Sequence, residues 1–231
     1  MVAFVTDAEV LAKRFMKEIN PALADKYASL IKLLSMNPDA ASSMRGRNAP
    51  EPGSEAYIKA QASNFASARQ PRAPEPPATF PDEMVSVILE NYFSVPTERL
   101  ERAKQEHQLS MGAENMIGEL LERYLASIME PLGWIWCSGS TVKAVDFIKP
   151  PAFDGGEWTL LQVKNRDNSE NSSSSAIRNG TNIKKWFRTF SKKAEFNWMA
   201  FPDDEVRQYA SEMGFQEFVK KYLENLRPAH G

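Results

Sequence analysis

Apolar residues recur at helical spacing through the first part of the chain. Val10, Leu11, Phe15 and Ile19 follow a Thr6-Asp7 cap, and Pro21 both ends that helix and opens a second one carrying Leu23, Tyr27, Leu30 and Leu34, so the pattern predicts a helical hairpin. Residues 36–53 turn to Asn, Pro, Ser, Gly and Arg and read as a loop, either a solvated connection or, through Arg45 and Arg47, a basic strap over a phosphate backbone. A short helix is expected over residues 56–68. The run Pro71-Arg72-Ala73-Pro74-Glu75-Pro76-Pro77 then forbids regular structure, because proline removes backbone donors and restrains the residue before it. It sets a boundary between an N-terminal helical region, residues 1–80, and a core, residues 81–231.

Beyond that boundary, helical patterns at 84–93 and 98–107 lead to an amphipathic helix starting near Ser110. Ile117, Leu120, Leu121, Tyr124, Leu125 and Ile128 form its apolar stripe, and Pro131 and Gly133 stop it. The period then changes, and residues 134–136, 142–148 and 158–163 read as short strands rich in β-branched and aromatic residues. Ser, Asn and Gly dominate residues 165–182. A helix over 184–190, a strand-like 198–201 and a terminal helix over 204–226 complete the chain. The order predicts an α/β fold, a mixed β-sheet core flanked by helices, with the N-terminal helical region beside it.

Composition narrows the chemistry. With 28 basic and 30 acidic side chains in 231 residues, net −2, the chain is not a bulk polycation, and 42% hydrophobic content is that of a globular protein. No apolar run approaches the roughly 18 residues of a membrane span. The opening Met-Val-Ala-Phe-Val-Thr-Asp lacks the basic and apolar regions of a secretion signal, so the cytoplasm is the expected compartment. One cysteine, Cys137, and two histidines, His107 and His230, are too few for a disulfide or a Cys/His zinc site. Catalysis would have to rest on carboxylates, lysine, hydroxyls or a hard cation. Both histidines read as surface residues, Cys137 as packing, and Trp186 as a stacking platform or a core anchor.

The chemistry concentrates on two strands. Asp146 lies in the apolar Ala144-Val145-Asp146-Phe147-Ile148, where an unpaired carboxylate would cost several kcal/mol. In Trp158-Thr159-Leu160-Leu161-Gln162-Val163-Lys164 the strand period puts Gln162 and Lys164 on one face. If the strands are neighbours, the Asp146 carboxylate, the Gln162 amide and the Val163 carbonyl can hold Mg²⁺, which takes oxygen ligands. Lys164 beside them can position or deprotonate a water and shield charge at phosphorus, which points to phosphodiester hydrolysis. The preceding helix offers Glu114, Glu119, Glu122 and Glu130, with Glu122 and Glu114 as rival fourth members of the site. From Lys164 to Lys193 eight basic and two acidic residues give +6, interleaved with Asn and Ser. Within this segment, residues 165–193, the expected DNA contacts are Arg166, Asn168, Ser169, Asn171, Ser173, Arg178, Asn179, Thr181, Lys184, Lys185 and Arg188.

The stretch Gln162-Val163-Lys164-Asn165-Arg166-Asp167-Asn168-Ser169-Glu170-Asn171-Ser172-Ser173-Ser174-Ser175, with Arg178-Asn179-Gly180-Thr181 and Lys185-Trp186-Phe187-Arg188, resembles the SinI-type restriction endonucleases, and the likeness runs along the whole chain. It implies a type II enzyme of the PD-(D/E)XK nuclease superfamily. Such an enzyme cuts double-stranded DNA with Mg²⁺ at a short near-palindromic site, G-G-(A or T)-C-C, beside a companion methyltransferase that protects host DNA. Carried over, Asp146 matches the superfamily's metal-binding acid, Lys164 its lysine, and Glu122 or Glu114 its helix acid. Val145 stands where proline is usual, and Gln162 where Asp or Glu is usual. A two-fold target calls for a homodimer. The competing readings are a structure-selective repair or junction nuclease, a non-catalytic DNA-binding regulator using the +6 segment alone, and a helical interaction protein.

Overall fold

The protein is seen as a computed structural model that describes residues 3–153, 155–168 and 181–226. Helices α1 (Ala8–Ile19), α2 (Ala24–Met36) and α3 (Glu55–Ser67) pack on one another. Asn20 opens the turn between the first two by accepting a hydrogen bond from the Ala22 N–H, and Ser54 caps α3 from the Tyr57 N–H. Helix α4 (Glu83–Asn91) follows the proline-rich segment, and α5 (Leu100–Met129) runs for 30 residues. A four-stranded sheet then forms in the order β1 (Ile135–Trp136), β2 (Phe147–Lys149), β3 (Thr159–Arg166), β4 (Lys184–Thr189). β1–β2 and β2–β3 are antiparallel, whereas β3–β4 is parallel, so the sheet is mixed. α6 (Asp204–Arg207) and α7 (Glu212–Leu226) end the described chain. Among the described residues no helix is long and apolar enough to cross a membrane.

The alternation of side chains across β2 and β3 divides the interior into two cores. Ile135, Cys137 and Ile148 join Phe15, Leu30, Ile31, Tyr57 and Phe65 of the first three helices, so residues ahead of the proline-rich segment share a core with the sheet. Trp136, Phe147, Leu161, Val163 and Trp186 face the other way, onto Leu121 and Leu125 of α5 and Phe215 of α7. Trp186 is therefore a core anchor, its indole N–H bonded to the Asn197 carbonyl.

Four local expectations are corrected. Residues 184–190 form a strand rather than a helix: Trp186 is buried against α5 and α7 while Lys185 and Phe187 turn the other way, and pairing with β3 satisfies the backbone. Residues 198–201 form a 3₁₀ turn (Trp198–Ala200), and 204–226 is interrupted, with Ser211 bonding the Gly214 N–H to start α7. The two helical patterns at 98–107 and beyond Ser110 are one continuous rod. Gly112 lies inside it because the Glu75 carbonyl crosses there, 2.9 Å from where a Cβ would sit.

Arg123 ties the end of α3 to α5. Its buried guanidinium donates to the carbonyls of Ala68 (2.8 Å), Arg69 (3.0 Å) and Gln70 (2.7 Å) and to Glu119. Arg123→Met keeps most of the stem but strips three carbonyls of their donor. The expected cost is roughly 3 kcal/mol, read as a fall in Tm of roughly 6–12 °C by calorimetry, with Arg123→Lys intermediate.

Candidate active site

Asp146 sits one residue ahead of β2, where the ladder continues past the last assigned pair. Its N–H bonds to the Leu161 carbonyl (2.9 Å), its carbonyl accepts from the Cys137 N–H (2.8 Å), and its Oδ2 accepts from the Val163 N–H at 2.7 Å. The carboxylate is therefore fixed by backbone on both flanking strands. Leu161 faces Phe147 and also accepts from the Asp146 N–H, so the chain bulges there and Asp146 lies against Leu161–Val163 of β3, where Gln162 and Lys164 share one face of the strand. Gln162 is 1% exposed and its Oε1 has no hydrogen-bond partner, a costly arrangement unless a ligand meets it.

Glu122 reaches the same place from α5. The stripe of Leu121 and Leu125 packs that helix on the sheet, which turns Glu122 toward Trp136, and the indole N–H donates to Glu122 Oε2 at 2.9 Å. Trp136 is itself gripped on its ring by the guanidinium groups of Arg69 and Arg123, 5.1 and 5.4 Å from the ring centroid. Burial, and then the nearby Asp146 carboxylate, push Glu122 up to about 8, against the pull of Trp136 and the Lys164 ammonium. Burial likewise raises Asp146, while the Val163 N–H and Lys164 pull it down. Two acids and one ammonium thus share a dry site.

Its mouth is a cleft of about 380 Å³ between α5 and β3, lined by Glu114, Asn115, Gly118, Glu122, Lys164 and Arg166. Glu114 lies at the exposed rim, two helical turns before Glu122. Glu119 and Glu130 are engaged elsewhere, the first with Arg123 and the second with Arg69 (2.9 Å) and Lys26 (2.6 Å). Among the described residues no group of three or more His, Cys, Asp or Glu could hold a metal ion.

Of the expected DNA contacts, Arg166 and Asn168 stand exposed just past Lys164, and Thr181 and Lys184 are exposed at the start of β4, with Lys185 half-buried beside them. Arg188 is held inside the protein: it donates to Glu212 (2.6 Å) and Asn165 (3.0 Å) and lies over Phe215. Ser169, Asn171, Ser173, Arg178 and Asn179 lie outside the described residues. Cys137 is buried in the first core, which pushes its thiol well up, and His107 is exposed on α5. His230 also lies outside the described residues. Arg45 and Arg47 are exposed in the loop before α3. Sequence reasoning missed Trp136, Arg69 and Arg123. The available signal was that a buried indole N–H and buried guanidinium groups each demand acceptors.

Comparison with known proteins places this geometry. A family model described as SinI restriction endonuclease matches residues 8–225. The chain is 53% identical over 224 residues to the type II restriction enzyme Eco47I of Escherichia coli, covering 96% of both chains. It is 51% identical over 229 residues to the type II restriction enzyme SinI of Salmonella infantis, covering 98% of both.

The raised acid leaves a thermodynamic signature. Between its ordinary value of 4.5 and about 8, folded Glu122 keeps a proton that the unfolded chain has released, so the metal-free protein loses stability as pH rises through that window. Glu122→Gln, which cannot titrate, removes this loss. Melting curves in chelator from pH 5 to 9 should show the wild type falling relative to the variant, at most about 1.4 kcal/mol per pH unit; parallel curves would mean that Glu122 is already ionised.

Proposed function

This chain belongs to the SinI restriction endonuclease family and is a type II restriction enzyme, a site-specific deoxyribonuclease, and we propose that it hydrolyses double-stranded DNA at a centre made of Glu122, Asp146, Gln162 and Lys164 with Mg²⁺ as cofactor. The observation that carries the reading is a pair of buried carboxyl groups, Glu122 and Asp146, both driven upward by burial and both in the field of Lys164, which lines an open cleft together with Glu122.

The donors fit a hard cation. The carboxylates of Asp146 and Glu122, the unpartnered Gln162 Oε1 and the Val163 carbonyl are all oxygens, the set Mg²⁺ prefers. Bound there, the ion supplies Lewis acidity at a phosphoryl oxygen and a more acidic water. The protein's own groups do the rest. The Val163 N–H fixes the plane of Asp146, and Trp136 fixes that of Glu122. Lys164 holds the attacking water and stabilises the charge that builds on the non-bridging oxygens as the water oxygen bonds to phosphorus and the bond to the leaving sugar oxygen breaks. Glu122 outranks Glu114 as the helix acid because it lies in the field of Asp146 and Lys164.

Recognition is assigned to residues 165–193, whose +5 charge contrasts with the −2 of the whole chain. Arg166, Asn168, Ser169, Asn171, Ser173, Arg178, Asn179, Thr181, Lys184 and Lys185 are the proposed DNA contacts, with arginine suited to guanine edges and asparagine to adenine. Arg188 enters as a brace, through Asn165 and Glu212. The proposed target is G-G-(A or T)-C-C, cut by a homodimer in the cytoplasm and protected there by a companion methyltransferase.

Digestion of plasmid DNA tests this. The wild type should give discrete fragments in Mg²⁺ and none in chelator. Lys164→Ala and Asp146→Asn should each lower the rate by about 10²–10³-fold or more while a gel-shift assay shows binding within a few-fold of wild type. Normal cutting by both variants would overturn the site. In the absence of DNA, Mg²⁺ should raise the Tm more at pH 8.5 than at pH 6, since its ligands must lose their protons.

A further inference from the structure

Helix α4 buries none of its residues. Val85 and Leu89 line a groove of about 440 Å³ against Ala103, His107 and Met111 of α5. On the adjoining face Met84, Val87, Ile88 and Tyr92 are exposed at helical spacing, Phe80 and Phe93 are exposed before and after them in the chain, and Leu109 is exposed on α5. A nine-residue helix is unstable in water without a packing partner, so something should cover this face.

The area is that of a stable interface. Phe80, Tyr92 and Phe93 are 97%, 79% and 63% exposed. At roughly 150–250 Å² per ring they alone present roughly 500 Å². Four aliphatic side chains between 41% and 59% exposed on α4, with Leu109, bring the patch toward the roughly 800 Å² that each partner contributes to a standard complex, above what most monomers leave bare. Charge decides against nucleic acid or an anionic membrane as occupant: residues 81–111 carry six acidic and three basic side chains, net −3.

We infer that this face is the isologous interface between two copies of the chain, an inference that rests on the reading above that both strands of a two-fold target are cut. A self-complementary patch is what a two-fold pair requires. The patch also has the right attachment, because α5 carries it at one end and the cleft at the other. Met111 and Glu122 are eleven residues apart on one unbroken helix, roughly 17 Å along its axis. Pairing through α4 and the first half of α5 therefore fixes the two clefts relative to each other.

Sedimentation tests the inference. The full chain should run at about 52 kDa, twice its 26.0 kDa, at micromolar concentration. Ile88→Glu combined with Tyr92→Glu sets like charges against their own copies, and should weaken association roughly 100-fold or more and shift the protein to the single-chain mass with unchanged circular dichroism. Because that variant could unfold α4, hydrogen exchange on the wild type gives a second reading: protection of residues 81–95 should fall on dilution while that of 24–36 stays constant. A double variant that remains dimeric, or protection of 81–95 that ignores concentration, overturns the interface and leaves the nuclease standing. A wild type that stays at 26.0 kDa when free and binds DNA as one chain per duplex, yet cuts, overturns the interface and the two-fold reading together, whereas a dimer unable to cut DNA refutes the nuclease centre alone.

Discussion

The hydrogen bond from the Val163 N–H to the Asp146 carboxylate is the constraint on which the site depends. It joins the end of one antiparallel strand to the middle of its neighbour with a charged acceptor, the stronger kind of hydrogen bond. Without it the acid would be a buried charge in an apolar strand end, with only Lys164 to oppose desolvation. With it, the acid, the amide and the ammonium are held by backbone that the sheet already orders. Most of the positioning is thus done by strand pairing rather than by flexible side chains, and the geometry survives in the absence of any ligand.

Glu122 is the exception, since it comes from a helix and needs its own support. Trp136 supplies it, and the same ring is clamped by Arg69 and Arg123, which in turn bind the end of α3 and Ser138. The N-terminal helices therefore help to orient the helix acid even though none of their residues lines the cleft. That connection explains why the first 66 residues share a core with the sheet rather than packing apart from it. Loss of this support should free Glu122 without unfolding the sheet, because the strands keep their own ladder.

Much of this was legible in the sequence. Asp146, Gln162 and Lys164 were readable because an acid in an apolar strand and a polar pair at period two are local patterns, and the helical stripe through Leu121 and Leu125 fixed which side of α5 packs inward. What failed was non-local. Lys184-Lys185-Trp186-Phe187-Arg188 carries no turn signal to forbid a helix, and only pairing with β3 makes it a strand. Glu122 and Glu114 are eight residues apart on one helix, and only the fold shows that Glu122 is the one in the field of Asp146. Arg188 reads from the sequence as a DNA contact, and its partner Glu212 comes from the last helix, a pairing no local pattern announces.

The amide at Gln162 has a consequence for how charge is distributed. A carboxylate there would be a third negative group in a site where burial raises both acids and Asp146 raises Glu122 further, with one lysine to offset them. An amide keeps an oxygen in the same position without that repulsion, and its burial at 1% exposure is tolerable for a neutral group. The second acid comes instead from the helix, and burial with the nearby Asp146 keeps its proton on near neutral pH. The metal-free protein thus carries a nearly balanced pair, Asp146 and Lys164, and a neutral acid in waiting. A helix acid that is neutral near neutral pH limits the destabilisation that a preformed cluster of charged acids would impose on the fold.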